Sequence, residues 1–224
     1  DIFQSMSKHV RKFFKEDKIV RLMEFPVLFL GETAENIPAL YSLMNYADIA
    51  LGTWYPMGGM HKIIEGMVAL AEEKGVTFRY SSAAKQINVV NGKARSITLE
   101  NGETLGADVV VAGADYHHVE TKLLAPAYRN YTENYWSTRV MAPSSLLFYL
   151  GVDKKLQNLL HHNLYFDEPL GPHADAIYTR PRWPEKPLFY VSAPSVTDPN
   201  VAPEGKENLF ILVPLAPGLT DTEE

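Results

Sequence analysis

The residues of this sequence that could do chemistry are few, and their spacing matches no common metal-binding motif. Histidines occur as two adjacent pairs, His117-His118 and His161-His162. Adjacent side chains point to opposite faces of a strand and diverge by about 100 degrees on a helix, so neither pair can easily chelate one ion. The chain contains no cysteine, which excludes a thiolate metal site, a catalytic cysteine and an iron–sulfur cluster. We predict no metal site.

The candidate nucleophiles and anion-binding residues are better explained as structural features. Ser144-Ser145 lacks the Gly-x-Ser-x-Gly turn that exposes a nucleophilic serine, which favours two polar residues at the start of a strand. Gly58-Gly59 precedes a helical pattern, and free N–H groups at a helix start can bind an anion, but a tight turn is the favoured interpretation. Because no Gly-x-Gly-x-x-Gly or Walker-type loop is present, the sequence contains no phosphate cradle of its own.

Hydrophobic periodicity predicts the helices that must position these residues. Two helices are expected within 1–25 and a third over 37–51, with an apolar loop at 27–31 between them. The clearest helix covers 60–75, where apolar residues recur at i, i+3, i+4 and i+7 and a glycine follows the last turn. Residues 117–142 are expected to be helical but irregular.

The rest of the chain is predicted to form β-structure. Apolar residues alternate after position 75, and Asn91-Gly92 and Asn101-Gly102 suit tight turns, which predicts a three-stranded antiparallel meander over 76–105. The apolar run at 108–112 is typical of a buried parallel strand. An antiparallel sheet is expected from its four strands at 145–151, 163–167, 187–193 and 207–213. The predicted fold class is α+β.

Composition narrows the class of protein. The 224 residues include 46% hydrophobic residues and 25 aromatic ones, which is typical of a folded domain and allows a cavity for a long apolar ligand, although such residues more often form core. The net charge of −6 argues against nonspecific nucleic-acid binding. No window approaches 20 apolar residues and no leader pattern is visible, so we expect a cytoplasmic protein. The basic run at 8–21 could face anionic lipid, but Glu16 and Asp17 interrupt it and a solvated face is favoured.

Specific strings along the chain resemble one family. They are EFPVLFLG at 24–31, GTWYPMGGM at 52–60, the meander, ADVVVAGAD at 107–115, APSSLLFYLGVD at 142–153, LHHN at 160–163 and APEG at 202–205. Together they cover essentially the whole chain, in the order found in the phytoene desaturase (carotenoid dehydrogenase) family. The resemblance implies the middle part of an FAD-dependent oxidoreductase that introduces double bonds into a C40 polyene and docks peripherally to the membrane.

The resemblance also implies a domain division and a set of cofactor contacts. Residues 1–58 would belong to a helical, membrane-facing part, 59–116 to an FAD-binding (glutathione reductase-like) domain, and 117–224 to the sheet of a substrate domain. The expected cofactor-binding residues are Ala84, Ala112, Gly113 and Asp115. The glycine-rich segments of the family that hold the flavin are missing from this sequence, so we expect the chain alone to bind FAD weakly or not at all.

The expected contacts with the polyene are apolar or aromatic, and no catalytic acid or base is assigned. The substrate-binding residues are predicted to be Leu28, Phe29, Trp54, Phe148, Tyr149 and Phe189. Two alternatives to a desaturase remain open. One is a non-catalytic prenyl-lipid carrier of the same superfamily fold, which an intact flavin motif in a longer protein would argue against. The other is a flavin-dependent polyene saturase or isomerase.

Overall fold

The computed structural model describes residues 3–222, which contain seven α-helices and seven β-strands. The helices are α1 (Met6–Phe13), α2 (Asp17–Glu24), α3 (Leu43–Tyr46), α4 (His61–Glu73), α5 (Tyr116–His118), α6 (Glu133–Ser137) and α7 (Leu170–Ala174). The strands are β1 (Ala84–Val90), β2 (Lys93–Leu99), β3 (Thr104–Gly106), β4 (Ser144–Val152), β5 (His162–Tyr165), β6 (Phe189–Ser192) and β7 (Glu207–Leu215). The α+β class predicted from the sequence is confirmed.

The chain divides into two compact units. The first consists of the residues up to Ala69 together with those from Met141 onwards, and the second is Leu70–Val140. The three-part division at 58–59 and 116–117 stays a prediction.

The helical part of the first unit packs around a small apolar core. Ser5 caps α1 by accepting a hydrogen bond from the Lys8 N–H at 3.3 Å, and its side chain therefore satisfies one of the free donors of the helix start. Met6 and Val10 of α1 and Val20 of α2 are buried together. This packing confirms the two helices expected before residue 25.

The segment that follows α2 is more regular than expected. Instead of an apolar loop, Phe25–Leu30 forms a 3-10 helix, in which Pro26 lies in the first turn, where a missing N–H costs no hydrogen bond. The side chains of Leu28 and Phe29 lie outside the described part of the structure. Further along, Ala39–Ser42, α3 and Ala47–Leu51 form one nearly continuous helical stretch, close to the predicted 37–51.

The helix α4 ends as its sequence indicates but does not bury its apolar side. Gly75 follows it with a φ of +83°, the left-handed conformation of a glycine C-terminal cap. Ile63, Ile64 and Met67 lie on the apolar side of the helix, and each is about half exposed or more.

In the second unit, β1, β2 and β3 form the predicted antiparallel meander. Asn91 and Gly92 both have positive φ values, +52° and +72°, as a type I′ hairpin turn requires. At the second turn only Gly102 has a positive φ, and the Leu99 N–H bonds to the Glu103 carbonyl across a longer loop. Both turns therefore lie at the positions predicted from the sequence.

The prediction of two strands in this unit is wrong. The segment 76–80 is irregular although its apolar residues alternate, and 108–112 is irregular instead of forming a buried parallel strand. Val109 and Val111 are 76% and 90% exposed. A strand exists only when a neighbour pairs with its backbone, and among the described residues no strand pairs with either segment.

The second sheet belongs to the first unit and has the order β4-β7-β6-β5, with every neighbouring pair antiparallel. The long strands β4 and β7 pair over nine residues, from Ser144 opposite Leu215 to Val152 opposite Glu207. The predicted antiparallel sheet is confirmed, and β4 and β5 form its edges.

Candidate functional site

An apolar cavity of about 280 Å³ lies in the first unit between the β4–β7 sheet and three short helical segments. The helical walls come from Phe25–Leu30, α7 and the helical turn Asp175–Thr179 that continues α7. The sheet contributes Ser145, Leu164, Tyr190, Leu212 and Pro214. Most of the lining is aliphatic or aromatic, so the cavity suits a ligand without charge.

The strand register fixes which face of the sheet forms the cavity wall. Leu164 lies opposite Tyr190, Tyr190 opposite Leu212, and Leu212 opposite Leu147, and partners in an antiparallel ladder share a face. We call the face of the sheet that carries Leu164, Tyr190 and Leu212 the cavity face. Because side chains alternate along a strand, Tyr149 is also on the cavity face, whereas Phe148 is on the opposite face.

A buried histidine connects the cavity to the strands around it. His173 in α7 is 4% exposed, and its Nδ1 accepts a hydrogen bond from the Leu188 N–H at 3.0 Å while its Nε2–H donates to the Pro214 carbonyl at 2.8 Å. Burial lowers the pKa of His173, and the bond to the Pro214 carbonyl only partly offsets this effect. The ring is therefore neutral at pH 7 and positions the cavity wall rather than carrying charge.

A buried aspartate holds the glycine turn before α4. Asp198 is fully buried, and its carboxylate accepts hydrogen bonds from the Gly58 N–H and from the backbone and side-chain N–H groups of Asn200. The Gly58 and Asn200 hydrogen bonds lower the pKa of Asp198 despite burial. Gly58 and Gly59 have φ values of +89° and +101°, which explains why glycines stand here. The tight-turn interpretation of this pair agrees with this geometry.

The residues predicted to bind substrate are spread over the first unit. Phe189, the first residue of β6, lines the cavity. Trp54 is 88% exposed and its indole N–H donates to the Leu51 carbonyl. Phe148 and Tyr149 are exposed on β4 and do not line the cavity. For Leu28 and Phe29 the prediction concerns side chains outside the described part.

The residues predicted to bind FAD lie in the second unit but do not enclose a ligand. Ala84 opens β1, which packs against the helical turn Val119–Leu123 that follows α5. Asp115 caps α5 by accepting a hydrogen bond from the His118 N–H at 2.8 Å. Ala112 and Gly113 are exposed in an irregular segment, and a Cβ on Gly113 would meet no atom within 4 Å. As placed, these four residues do not form a flavin pocket, and their role stays a prediction.

The described residues hold no cluster of three or more His, Asp or Glu side chains arranged to bind a metal ion. No helix between residues 3 and 222 is both long enough and apolar enough to cross a membrane.

Sequence reasoning missed the two residues that organise this unit, His173 and Asp198. Their partners are far away in sequence, 41 residues for His173 and Pro214 and 140 residues for Asp198 and Gly58. No local pattern marks His173. Asp198 has a local signal, because Asp198-Pro199-Asn200 is typical of an aspartate that caps a short helix. The signal for its distant partner was the glycine pair, because a turn with two positive φ values needs a partner for its exposed N–H groups.

Comparisons with known proteins identify the family. The sequence profile described as flavin containing amine oxidoreductase matches residues 4–223. The chain therefore belongs to this family.

Individual relatives agree with the family. The chain is 39% identical over 220 residues to the carotenoid 3,4-desaturase of Haloarcula japonica. This alignment covers 98% of this chain and 44% of that protein. It is 35% identical over 215 residues to the phytoene desaturase of Cercospora nicotianae, which covers 95% of this chain and 34% of that protein. The chain thus spans less than half the length of these relatives. The resemblance to carotenoid and phytoene desaturases is confirmed.

A solved structure shares the fold. An oxidoreductase from Methanosarcina mazei superposes with a TM-score of 0.60 at 16% identity, over 96% of this chain and 48% of that protein. At this identity the likeness concerns the fold alone.

Proposed function

We propose that the protein to which this chain belongs is an FAD-dependent oxidoreductase of the carotenoid desaturase type, which introduces double bonds into a C40 polyene. The observation that carries the proposal is the similarity along almost the whole chain to proteins named as carotenoid 3,4-desaturase and phytoene desaturase. FAD is the proposed cofactor of that protein, in line with the flavin containing family.

The cavity supports an apolar substrate. A hydrocarbon polyene has no polar group to bind, so its affinity must come from buried apolar area, worth about 25 cal/mol per Å². The walls offer Phe25, Leu164 and Leu212, among other apolar side chains. At about 280 Å³ the cavity is slightly smaller than the usual volume of ligand sites, about 300–1,000 Å³. It therefore accommodates one end of a C40 chain, and the rest needs further surface.

Turnover by the flavin-loaded protein tests the proposal. A C40 polyene is added without oxygen at one equivalent per flavin, and the shift of its absorption to longer wavelength is followed together with bleaching of the flavin. We expect both changes, since a new conjugated double bond requires that two electrons leave the substrate. Neither change with any C40 polyene would contradict the proposal.

A matched pair of leucines tests the cavity. Leu30 lines it and Leu160 does not, and both are exposed enough to tolerate a polar side chain. We expect Leu30→Gln to raise KM for the polyene, by roughly tenfold for the loss of a leucine contact, and Leu160→Gln to leave it unchanged. Equal KM values for the two variants would exclude this cavity as the substrate site.

A peripheral membrane contact is also proposed, because the substrate dissolves in lipid. The support is a set of exposed basic side chains on and after α1, among them Lys15 and Lys18, which precede the apolar segment Phe25–Leu30 in the sequence. Lys18→Glu is expected to reduce flotation of the protein with anionic liposomes, whereas Lys93→Glu in the β1–β2 turn region should not. Flotation unchanged by Lys18→Glu would contradict this contact.

A further inference from the structure

A row of aromatic rings crosses the β4–β7 sheet on its cavity face. Tyr149 contacts Phe210 with ring centroids 5.2 Å apart, Phe210 lies 6.4 Å from Tyr190, and Tyr190 lies 6.0 Å from His162. These four rings come from β4, β7, β6 and β5 in turn, so the row spans three strand spacings, about 14 Å. We call these four residues the aromatic row.

The row continues beyond the sheet towards the glycine turn. His162 lies 4.4 Å from the His161 ring, and His161 lies 4.6 Å from Tyr55, which precedes Gly58 by three residues. Burial, and then the nearby Asp198 carboxylate, raise the pKa of Tyr55, so its hydroxyl is neutral at physiological pH. The row thus runs from the edge strand β4 to the turn that Asp198 fixes.

Two polar atoms of the row are paired with each other, and a ring nitrogen of the neighbouring His161 is paired as well. The Tyr190 hydroxyl and His162 Nδ1 are 2.6 Å apart, and His161 Nδ1 is 2.6 Å from the Thr197 hydroxyl. Because these atoms already have partners, the rings present mainly their apolar faces and edges to a ligand. Such a surface suits a long ligand that has no polar handle.

The row is continuous with the cavity. Tyr190 belongs to both, since it lines the cavity and contacts Phe210 in the row. The cavity holds only part of a C40 chain, and the row adds an accessible apolar surface that begins at the cavity wall. Tyr149 at its far end is 76% exposed.

We propose that the aromatic row is the binding surface for the part of the polyene that extends beyond the cavity. This inference rests on the proposed function. It assigns one end of the ligand to the cavity and its adjoining conjugated or isoprenoid segment to the rings of Tyr190, Phe210 and Tyr149.

The adjacent residues Tyr149 and Leu150 provide a matched test, because both are exposed hydrophobic residues of β4 but lie on opposite faces of the sheet. The probe is a coloured, fully conjugated C40 hydrocarbon delivered from detergent micelles to the flavin-loaded protein. Binding is measured by the shift of its visible absorption and by quenching of tryptophan fluorescence.

We expect Tyr149→Ser to raise the Kd for the polyene by about fivefold to tenfold, since the ring contributes buried apolar area. Tyr149→Phe retains the ring and should bind as wild type, and Leu150→Ser should also leave the Kd unchanged. Thermal unfolding of all three variants checks that the fold is retained. A Leu150→Ser variant that weakens binding as much as Tyr149→Ser would overturn the proposal.

The same measurements separate this inference from the proposed function. If the wild type binds the polyene but Tyr149→Ser has no effect, the aromatic row is not the binding surface and the proposed function stands. If the wild type binds no C40 polyene, the proposed function is contradicted, and the row with it.

Discussion

The carboxylate of Asp198 and the imidazole of His173 are single side chains that each join distant parts of the first unit. Asp198 joins the loop before β7 to the Gly58 turn, and His173 joins α7 to Leu188 and Pro214. Both are buried polar groups whose hydrogen bonds are satisfied, and removal of one partner leaves the other unpaired. Substitution of either residue is therefore expected to lower the stability of the first unit.

We expect Asp198→Asn to destabilise the first unit, because an amide group cannot accept the Gly58 and Asn200 hydrogen bonds together without placing its own N–H groups against donors. The lowered pKa of Asp198 stabilises the folded protein fully above pH 3.8, the ordinary pKa of aspartate. This stabilisation is lost as the pH falls through the lower pKa of Asp198 in the folded protein.

Urea unfolding and amide exchange at Gly58 measure this prediction. Asp167→Asn serves as the control, because Asp167 is exposed. An Asp198→Asn protein with wild-type stability and unchanged exchange at Gly58 would show that Asp198 does not hold the Gly58 turn.

The lowered pKa of His173 predicts how the stability of the protein depends on pH. Its folded pKa is lowered from 6.5, so above pH 6.5 the ring is neutral in both states and the stabilisation is complete. As pH falls below 6.5, the unfolded chain binds a proton that the folded protein does not, and the free energy of unfolding decreases until pH reaches the lowered folded value.

We expect His173→Gln, which can donate and accept but does not titrate, to lose this pH dependence. At pH 7.5 its stability should be lower by about 1 kcal/mol, the value of a typical hydrogen bond. Urea titrations between pH 7.5 and 5.0 measure both effects. An unchanged slope of stability with pH in His173→Gln would assign the dependence to other groups.

At the scale of elements, local sequence signals predicted those elements whose conformation depends only on neighbouring residues. The type I′ turn at Asn91-Gly92 and the glycine after α4 were predicted because their conformations are local. The strands expected at 76–80 and 108–112 failed because a strand also needs a backbone neighbour, which no local pattern reports. The cavity was not predictable either, since its walls meet only through the strand register.

The β1–β2 turn provides a prediction at this scale. Gly92 has a φ of +72°, so Gly92→Ala should cost about 1 kcal/mol of stability from backbone strain alone, because no atom would contact the new Cβ. Gly106→Ala in β3 is the control, since Gly106 has no positive φ and its Cβ would also be free. Thermal unfolding distinguishes them. Equal costs for the two variants would rule out the type I′ conformation at Asn91-Gly92.

At the scale of the whole chain, the four predicted FAD contacts all belong to the second unit but do not enclose a cofactor. We expect the isolated 224-residue chain to elute from gel filtration without bound flavin after incubation with excess FAD. Absorption at visible wavelengths in the protein peak measures this directly. A stoichiometric flavin spectrum in that peak would show that the chain has a complete cofactor site.

The outer edge of β4 has a consequence for the solubility of the 224-residue chain. Among residues 3–222 no strand pairs with this edge, and β4 carries apolar side chains on both faces, a combination that templates intermolecular β-ladders. Pro143 stands immediately before the strand, and Asp153, Lys154 and Lys155 follow it. Proline and charge are the residues that interrupt such ladders, so they restrict templating to one short window. Proline before β4 and charged residues after it therefore limit aggregation through this strand.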